Sequence, residues 1–183
     1  MAEHHSRTSR SPMMTGMFRD RESAERAYAS LTARGYTTED VTLLMSDEAR
    51  RRHFGHGADT ELGSKAAEGA GIGAAVGGGA GALLAGLAAV GTIALPGIGL
   101  IAMGPIAAAL TGGAIGAASG GLLGALIGAG IPEEQAKRYD SGIREGNIVM
   151  GVSPRTEEDA AYFENEWRNY RGEDIYRPTR RAA

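Results

Sequence analysis

The feature that most constrains this chain is a long stretch without charge. No charged residue occurs between Glu68 and Glu133, and the residues there are mostly Gly, Ala, Leu and Ile. Two glycine ladders lie in it. The first is Gly69, Gly73, Gly77 and Gly81; the second is Gly112, Gly116, Gly120, Gly124 and Gly128. Each repeats at i, i+4, so on an α-helix each forms one ridge without side chains. The ladders mirror each other: Gly69 with Gly128, Gly73 with Gly124, Gly77 with Gly120 and Gly81 with Gly116 all have residue numbers summing to 197. The mirror centre falls between Ile98 and Gly99, inside the turn-forming run Pro96, Gly97, Ile98 and Gly99. This pattern predicts an antiparallel helical hairpin over 66–131 that turns at Pro96–Gly99, with the glycine ridges facing each other as a zipper.

Glycine costs a helix about 1 kcal/mol relative to alanine in water. A ladder of five therefore carries a deficit on the order of 5 kcal/mol, which close packing or a non-aqueous solvent must offset. A bilayer enforces helix, because unpaired backbone groups have no water to turn to, and small-xxx-small ridges let helices approach closely there. An arm over 66–93 would be roughly 40 Å of helix, enough to cross about 30 Å of hydrocarbon. The leading expectation is therefore a membrane-inserted or membrane-associated hairpin of transmembrane helices. The alternative is a soluble homo-oligomer whose hairpins form a shared core. The turn region 95–105 is apolar throughout, which suits a hairpin that dips in and returns, or a tip packed in protein.

Composition narrows the partners. The chain has 183 residues, a net charge of −3 and no cysteine. The mild negative balance argues against nucleic acid. Without cysteine there is no disulfide framework, thiolate nucleophile or thiolate metal site. The polar N-terminus lacks the apolar core of a signal peptide.

In chain order, 1–12 reads as a disordered tail. Residues 13–54 form the first half of an α+β domain. Met13–Phe18 reads as a strand. Asp20 caps a helix whose apolar face is Ala24, Ala27, Tyr28 and Leu31, and Gly35 closes it. Val41–Met45 is a second strand. Ser46 then caps a short helix ending in the basic cluster Arg50, Arg51 and Arg52. That cluster is a candidate contact for anionic lipid headgroups, or else a solvated face. Residues 55–65 read as a linker. His53-x-x-His56 with Asp59 is too loosely framed by glycine to be a metal site, and Gly69-Ala-Gly71-Ile-Gly73 follows no strand, so it is not a dinucleotide fingerprint.

The hairpin occupies 66–131, and 132–172 is the second half of the domain. Pro132, Glu133 and Glu134 open a helix with Ala136, Tyr139 and Ile143 inward and Gly146 at its end. Asn147–Val152 is a third strand. Thr156-x-x-Asp159 resembles a capping box. Phe163, Trp167 and Tyr170 recur at helical spacing and would pack on the sheet, with Gly172 ending the helix. Residues 173–183 read as an arginine-rich tail.

This order is similar to that of the bacterial general stress proteins of the YflT kind. Three matches carry the resemblance: Gly16-Met17-Phe18-x-Asp20-x-x-x-Ala24-Glu25-x-Ala27 with Leu31-x-x-x-Gly35-Tyr36; Asp40-Val41-x-Leu43-Leu44; and Pro96-Gly97-Ile98-Gly99 with Gly104-Pro105 and Gly130-Ile131-Pro132-Glu133-Glu134-x-Ala136. The matches lie within 14–152. The resemblance implies a stress-response role and no catalytic residues.

The expected fold is thus α+β, a ferredoxin-like βαβ…αβα domain interrupted after its second strand. No nucleophile is paired with a base and no ligand cluster shares a wall, so the residues predict neither an enzyme nor a cofactor, metal or small-molecule substrate. The expected partners are membrane lipid and further copies of the chain, at the cytoplasmic side of the inner membrane or, in the alternative, in the cytoplasm. A glycine-zipper pore ranks below both, because a lytic peptide needs no folded α+β domain.

Overall fold

A computed structural model describes residues 13–54, 93–95, 100–103 and 117–178. The first half follows its sequence signals closely. Strand β1 (Met14–Phe18) leads into helix α1 (Arg21–Ala33). Asp20 caps that helix, its carboxylate accepting from Ser23 N at 2.8 Å. At the other end Tyr36 N donates to Leu31 O and Gly35 N to Thr32 O, with Gly35 at φ +75°. This is the paired closing pattern that a left-handed residue makes possible. Strand β2 (Val41–Ser46) and helix α2 (Asp47–Phe54) follow, the Ser46 hydroxyl accepting from Ala49 N at 3.1 Å.

The second half comprises helix α3 (Ala117–Gly128), helix α4 (Glu133–Arg144), strand β5 (Ile148–Val152), helix α5 (Glu157–Asn169) and strand β6 (Glu173–Tyr176). Between the halves lie two short strands, β3 (Ile93–Leu95) and β4 (Leu100–Met103). The class is α+β.

All described strands join one sheet in the order β3-β4-β2-β5-β1-β6, and every described pairing is antiparallel. β5 is central. It pairs with β1 from Met14↔Val152 to Phe18↔Ile148 and with β2 from Val41↔Val152 to Leu44↔Val149. Strands β1 and β2 are therefore parallel to each other, linked by α1, with β5 between them. The two halves cannot separate without breaking both pairings.

Both faces of the strands β1, β5 and β2 are covered. Met14, Phe18, Val41, Leu43, Met45, Ile148, Met150 and Val152 pack with α1 (Ala24, Tyr28, Leu31) and α5 (Phe163, Trp167). The alternate positions Met17, Leu44 and Val149 pack with α3 (Leu122, Leu126) and α4 (Ala136, Tyr139, Ile143), and with Ile131 between those helices. Burial on both faces explains why β2 and β5 read as nearly continuous apolar runs rather than as alternating ones.

The insert corrects the prediction most. The glycine pattern predicts that Ile93 ends a helical arm and that Leu95 begins the apolar turn region, but β3 and β4 pair as strands, with Ile93↔Ala102, Ala94↔Ile101 and Leu95↔Leu100. The chain does reverse between residues 95 and 100. The paired numbers sum to 195, one residue off the mirror drawn from the glycines. Ile93, Leu95, Leu100 and Ile101 are β-branched or bulky, and next to the open edge of β2 they gain a ladder that a helix tip could not offer. β4 pairs with β2 from Leu43↔Met103 to Ser46↔Leu100.

The second glycine ladder is not one helical ridge either. Gly121, at φ 56° and ψ −139°, breaks α3 between Gly120 and Gly124. Among the described residues no helix is long and apolar enough to cross a membrane. The transmembrane helical hairpin is thereby overturned for the described part of the insert. Gly69, Gly73, Gly77, Gly81, Gly112 and Gly116, and the turn residues Pro96, Gly97, Ile98 and Gly99, lie outside the described residues, so the facing of the two ladders does too.

Two smaller differences concern the C-terminus. Residues 173–176, expected in a tail, form β6 on the outer side of β1. The left-handed residue closing α5 is Arg171 (φ 61°), not Gly172.

Candidate functional site

The described parts of the insert form the first candidate surface. α3 has no charged or strongly polar side chain apart from Ser119. Its Leu122 and Leu126 are buried against the sheet, while Ile127 is 42% exposed, the one large exposed hydrophobic among the described residues. Space is open beyond Gly128. A helix apolar all round belongs in an interior, so an outward face of this kind calls for cover. The helix ends with Ile131 N donating to Leu126 O and Gly130 N to Ile127 O, which swings Ile131 onto the same cluster. β3, from the same uncharged stretch, is the outermost described strand of the sheet.

The second candidate is the basic run of α2. Its three arginines all meet carboxylates of the same helix. Arg50 lies 3.3 Å and Arg51 2.5 Å from Asp47, and Arg52 lies 2.7 Å from Glu48. Arg50 is buried. His53 Nε2 lies 3.2 Å from Gly146 O, tying α2 to the turn after α4. His53 fastens α2 to its surroundings, while the three arginines share the two carboxylates Asp47 and Glu48 of their own helix.

A third cluster joins the α1–β2 connection to the start of α5. Tyr36 is its hub. The Tyr36 hydroxyl donates to Asp159 Oδ2 at 2.9 Å and accepts from Arg155 N at 2.6 Å. Arg34 reaches Asp159 at 3.2 Å, and its guanidinium lies 4.3 Å from the centre of the Tyr162 ring. Arg155 lies 4.3 Å over the Tyr36 ring, contacts Asp40 at 3.0 Å and donates to Gly35 O at 3.2 Å. Thr37 donates to Asp40 through N at 2.9 Å and Oγ1 at 3.1 Å. The Thr37 N–H, more than the Arg155 guanidinium, holds the Asp40 carboxyl below its ordinary range. Burial pushes the Tyr36 hydroxyl up. The capping box expected at Thr156 is half formed. Thr156 Oγ1 accepts from Asp159 N at 3.0 Å, but the Asp159 carboxylate turns to Tyr36 and Arg34. Each ionisable group in this cluster has a fixed protein partner, so the arrangement binds the two halves together rather than presenting an acid, base or nucleophile. The residues Arg34, Tyr36 and Arg155 carried no local signal, because their partners lie more than a hundred positions away.

On the opposite face, the Tyr139 hydroxyl lies 2.8 Å from Thr15 Oγ1 and 2.7 Å from Asp174 O. Burial pushes its pKa up to about 12. Gln135 and Arg138 also hold Asp174, at 2.6 and 3.0 Å. α4 thus clips β6 onto β1.

Cavities are small. One of about 20 Å³, room for a single water, lies between Met14, Pro154, Thr156 and Arg177. Another of about 130 Å³ is a polar surface recess between Asp20, Arg26, Tyr170 and Arg171. Among the described residues no three His, Asp or Glu side chains are grouped to hold a metal ion. Searches against protein-family models, curated proteins and solved structures find no match for this chain.

Proposed function

We propose that this protein is a non-enzymatic, self-associating protein that acts as a soluble homo-oligomer, with the uncharged insert supplying a shared core. The observation that carries this is α3. It comes from a stretch of more than sixty residues without charge, packs one side on the sheet, and turns Ile127 outward beside Gly128, where space is open. Burial of that side against another copy returns about 25 cal/mol for each Å² of apolar surface removed from water. The ionisable clusters support a non-catalytic role, since their groups are engaged with one another. A stress-response role rests on the resemblance to proteins of the YflT kind alone. The core fits a ferredoxin-like arrangement, with β6-β1-β5-β2 in the strand order of two interleaved βαβ units, widened by β4 and β3.

Light scattering on the full chain in detergent-free buffer tests this reading. The expected result is a single oligomer. Leu84→Glu, which puts a charge into the uncharged stretch, is expected to lower its mass. A monodisperse monomer at all concentrations, or a protein that stays in solution only with detergent, would reject it.

A further inference from the structure

Strand β6 is held to the sheet differently from its neighbours. Its register with β1 consists of Thr15↔Tyr176 and Met17↔Glu173, with a shift between them, whereas β5 pairs with β1 at every position from Met14 to Phe18. Its backbone is also costly. Arg171 (φ 61°) and Asp174 (φ 48°) are the two non-glycine residues with left-handed backbone among the described residues, and they stand at the entry to β6 and inside it. What holds the strand is a set of side chains. The Tyr139 hydroxyl and Gln135 Nε2 donate to Asp174 O at 2.7 and 2.6 Å, and Arg138 meets the Asp174 carboxylate at 3.0 Å. Arg19 pairs with Glu173 at 2.8 Å. Arg177, just past the strand, pairs with Glu164 at 2.9 Å and with Glu157.

Trp167 lies against this strand. A Cβ on Gly16 would meet the Trp167 ring at 2.9 Å and Ile175 at 3.4 Å, so Ile175 sits beside the indole over the glycine. Trp167 is fully buried, and its Nε1 is the one buried side-chain nitrogen or oxygen among the described residues without a hydrogen-bond partner. An unpaired N–H in the core is a cost of the closed state that water would remove.

We propose that β6 is a strap, a unit that releases from β1 and α4 while the rest of the sheet stays folded. It turns about Arg171 and Gly172, and its release presents the free edge of β1 and the indole of Trp167. Two left-handed residues and an unpaired indole N–H make the closed position costly, and opening relieves all three. The ladder that opposes opening is short and bulged. The ion pairs that add to it are partly exposed, so dissolved salt screens them. Ionic strength therefore sets how often the strap is open. The device stands apart from the self-association reading.

The test uses the full chain, whose single tryptophan is Trp167. Hydrogen exchange read by mass spectrometry and acrylamide quenching of Trp167 are followed together. The amides of 173–176 are expected to exchange through an opening that low urea does not accelerate, and those of 148–152 through one that it does. Raising salt from about 0.05 M to about 0.5 M should speed exchange of 173–176 about threefold or more, with quenching of Trp167 rising alongside. Gln135→Ala and Arg138→Ala should each do the same at low salt, and Arg171→Gly, which relieves the turn, should slow it. Exchange of 173–176 only through the urea-dependent opening shared with 148–152 overturns the strap, since β6 then leaves only when the sheet does. Exchange that salt and both α4 variants leave unchanged, or that rises with no change in Trp167 quenching, overturns it as well, since the strand then merely frays. The salt series needs no variant, so it decides even where a substitution disturbs folding.

Discussion

Arg171 and Gly172 divide a task that sequence reading assigns to Gly172. Arg171 takes the left-handed turn at the end of α5, and Gly172 follows with its N–H on Trp167 O at 2.7 Å. A Cβ on Gly172 would meet that carbonyl oxygen at 2.7 Å and Phe18 at 3.1 Å. The glycine is there for space, and the strained position is held by an arginine. Arg171→Gly is therefore expected to stabilise the protein by about 0.5–1 kcal/mol, the left-handed cost less the added freedom of the unfolded chain. Gly172→Ala should destabilise it by about 2 kcal/mol, because a backbone oxygen cannot step aside. Urea denaturation of the two variants gives opposite shifts in midpoint if this assignment is right. Tyr139 offers a second check at this scale. Its folded pKa, about 12, lies above the unfolded value of 10.0. Below pH 10 both states hold the proton and the contribution is complete. Above it the unfolded chain gives up its proton first, so stability falls from pH 10 towards 12, by on the order of 2 kcal/mol. Tyr28 and Tyr36 also titrate high, so the measure is the difference in slope between the native chain and Tyr139→Phe, which should be the flatter.

At the scale of elements, the fastening of α1 to α5 is the most exposed to test. Asp159 is buried and shared by Tyr36, Arg34 and its own helix start. Asp159→Ala should cost about 1–3 kcal/mol, since it leaves the Tyr36 hydroxyl without its acceptor and Arg34 with only its longer carboxylate contact, to Glu158 at 3.6 Å. Tyr36→Phe should cost about 1–3 kcal/mol for the same reason in reverse. The double variant should lose at least about 1 kcal/mol less than the sum, because both changes break one network. Strict additivity in a double-mutant cycle would mean that the two side chains act independently.

For the whole molecule, the position of β5 decides how the fold can form. β1, α1 and β2 are contiguous in sequence, yet β1 and β2 do not pair with each other. Each reaches the sheet through β5, more than a hundred residues later. A fragment of residues 13–54 should therefore show no cooperative unfolding by circular dichroism. Adding residues 117–178 in trans should restore it. A fragment 13–54 that melts cooperatively alone would contradict the view that β5 completes the core. The long separation between paired strands also predicts slow folding relative to a helical bundle of this size.

Local signals were legible wherever the physics is local. The caps at Asp20, Ser46 and Thr156 lie within three residues of the groups they satisfy, and the helix closures at Gly35 and Gly146 need only a residue that tolerates positive φ, so the sequence alone located α1, α2, α4 and α5. The apolar runs of β1, β2 and β5 were equally plain, because strands buried on both faces are mostly apolar and keep charge out, with threonine at Thr15 and Thr42 the main polar exceptions. The insert could not be read this way. Its glycine spacing suits a helix, but Ile93–Leu95 and Leu100–Met103 are short apolar runs whose state depends on whether an open strand edge lies within reach, and the edge of β2 did. Glu173–Tyr176 became a strand for the same reason, beside β1, although two of its four residues are charged. Arg34, Tyr36, Arg155 and Asp159 came together only because β5 lies between β1 and β2. Sequence periodicity determines what a segment can satisfy by itself, whereas strand pairing and long-range ion pairs depend on which other segment arrives alongside, and only the tertiary structure decides that.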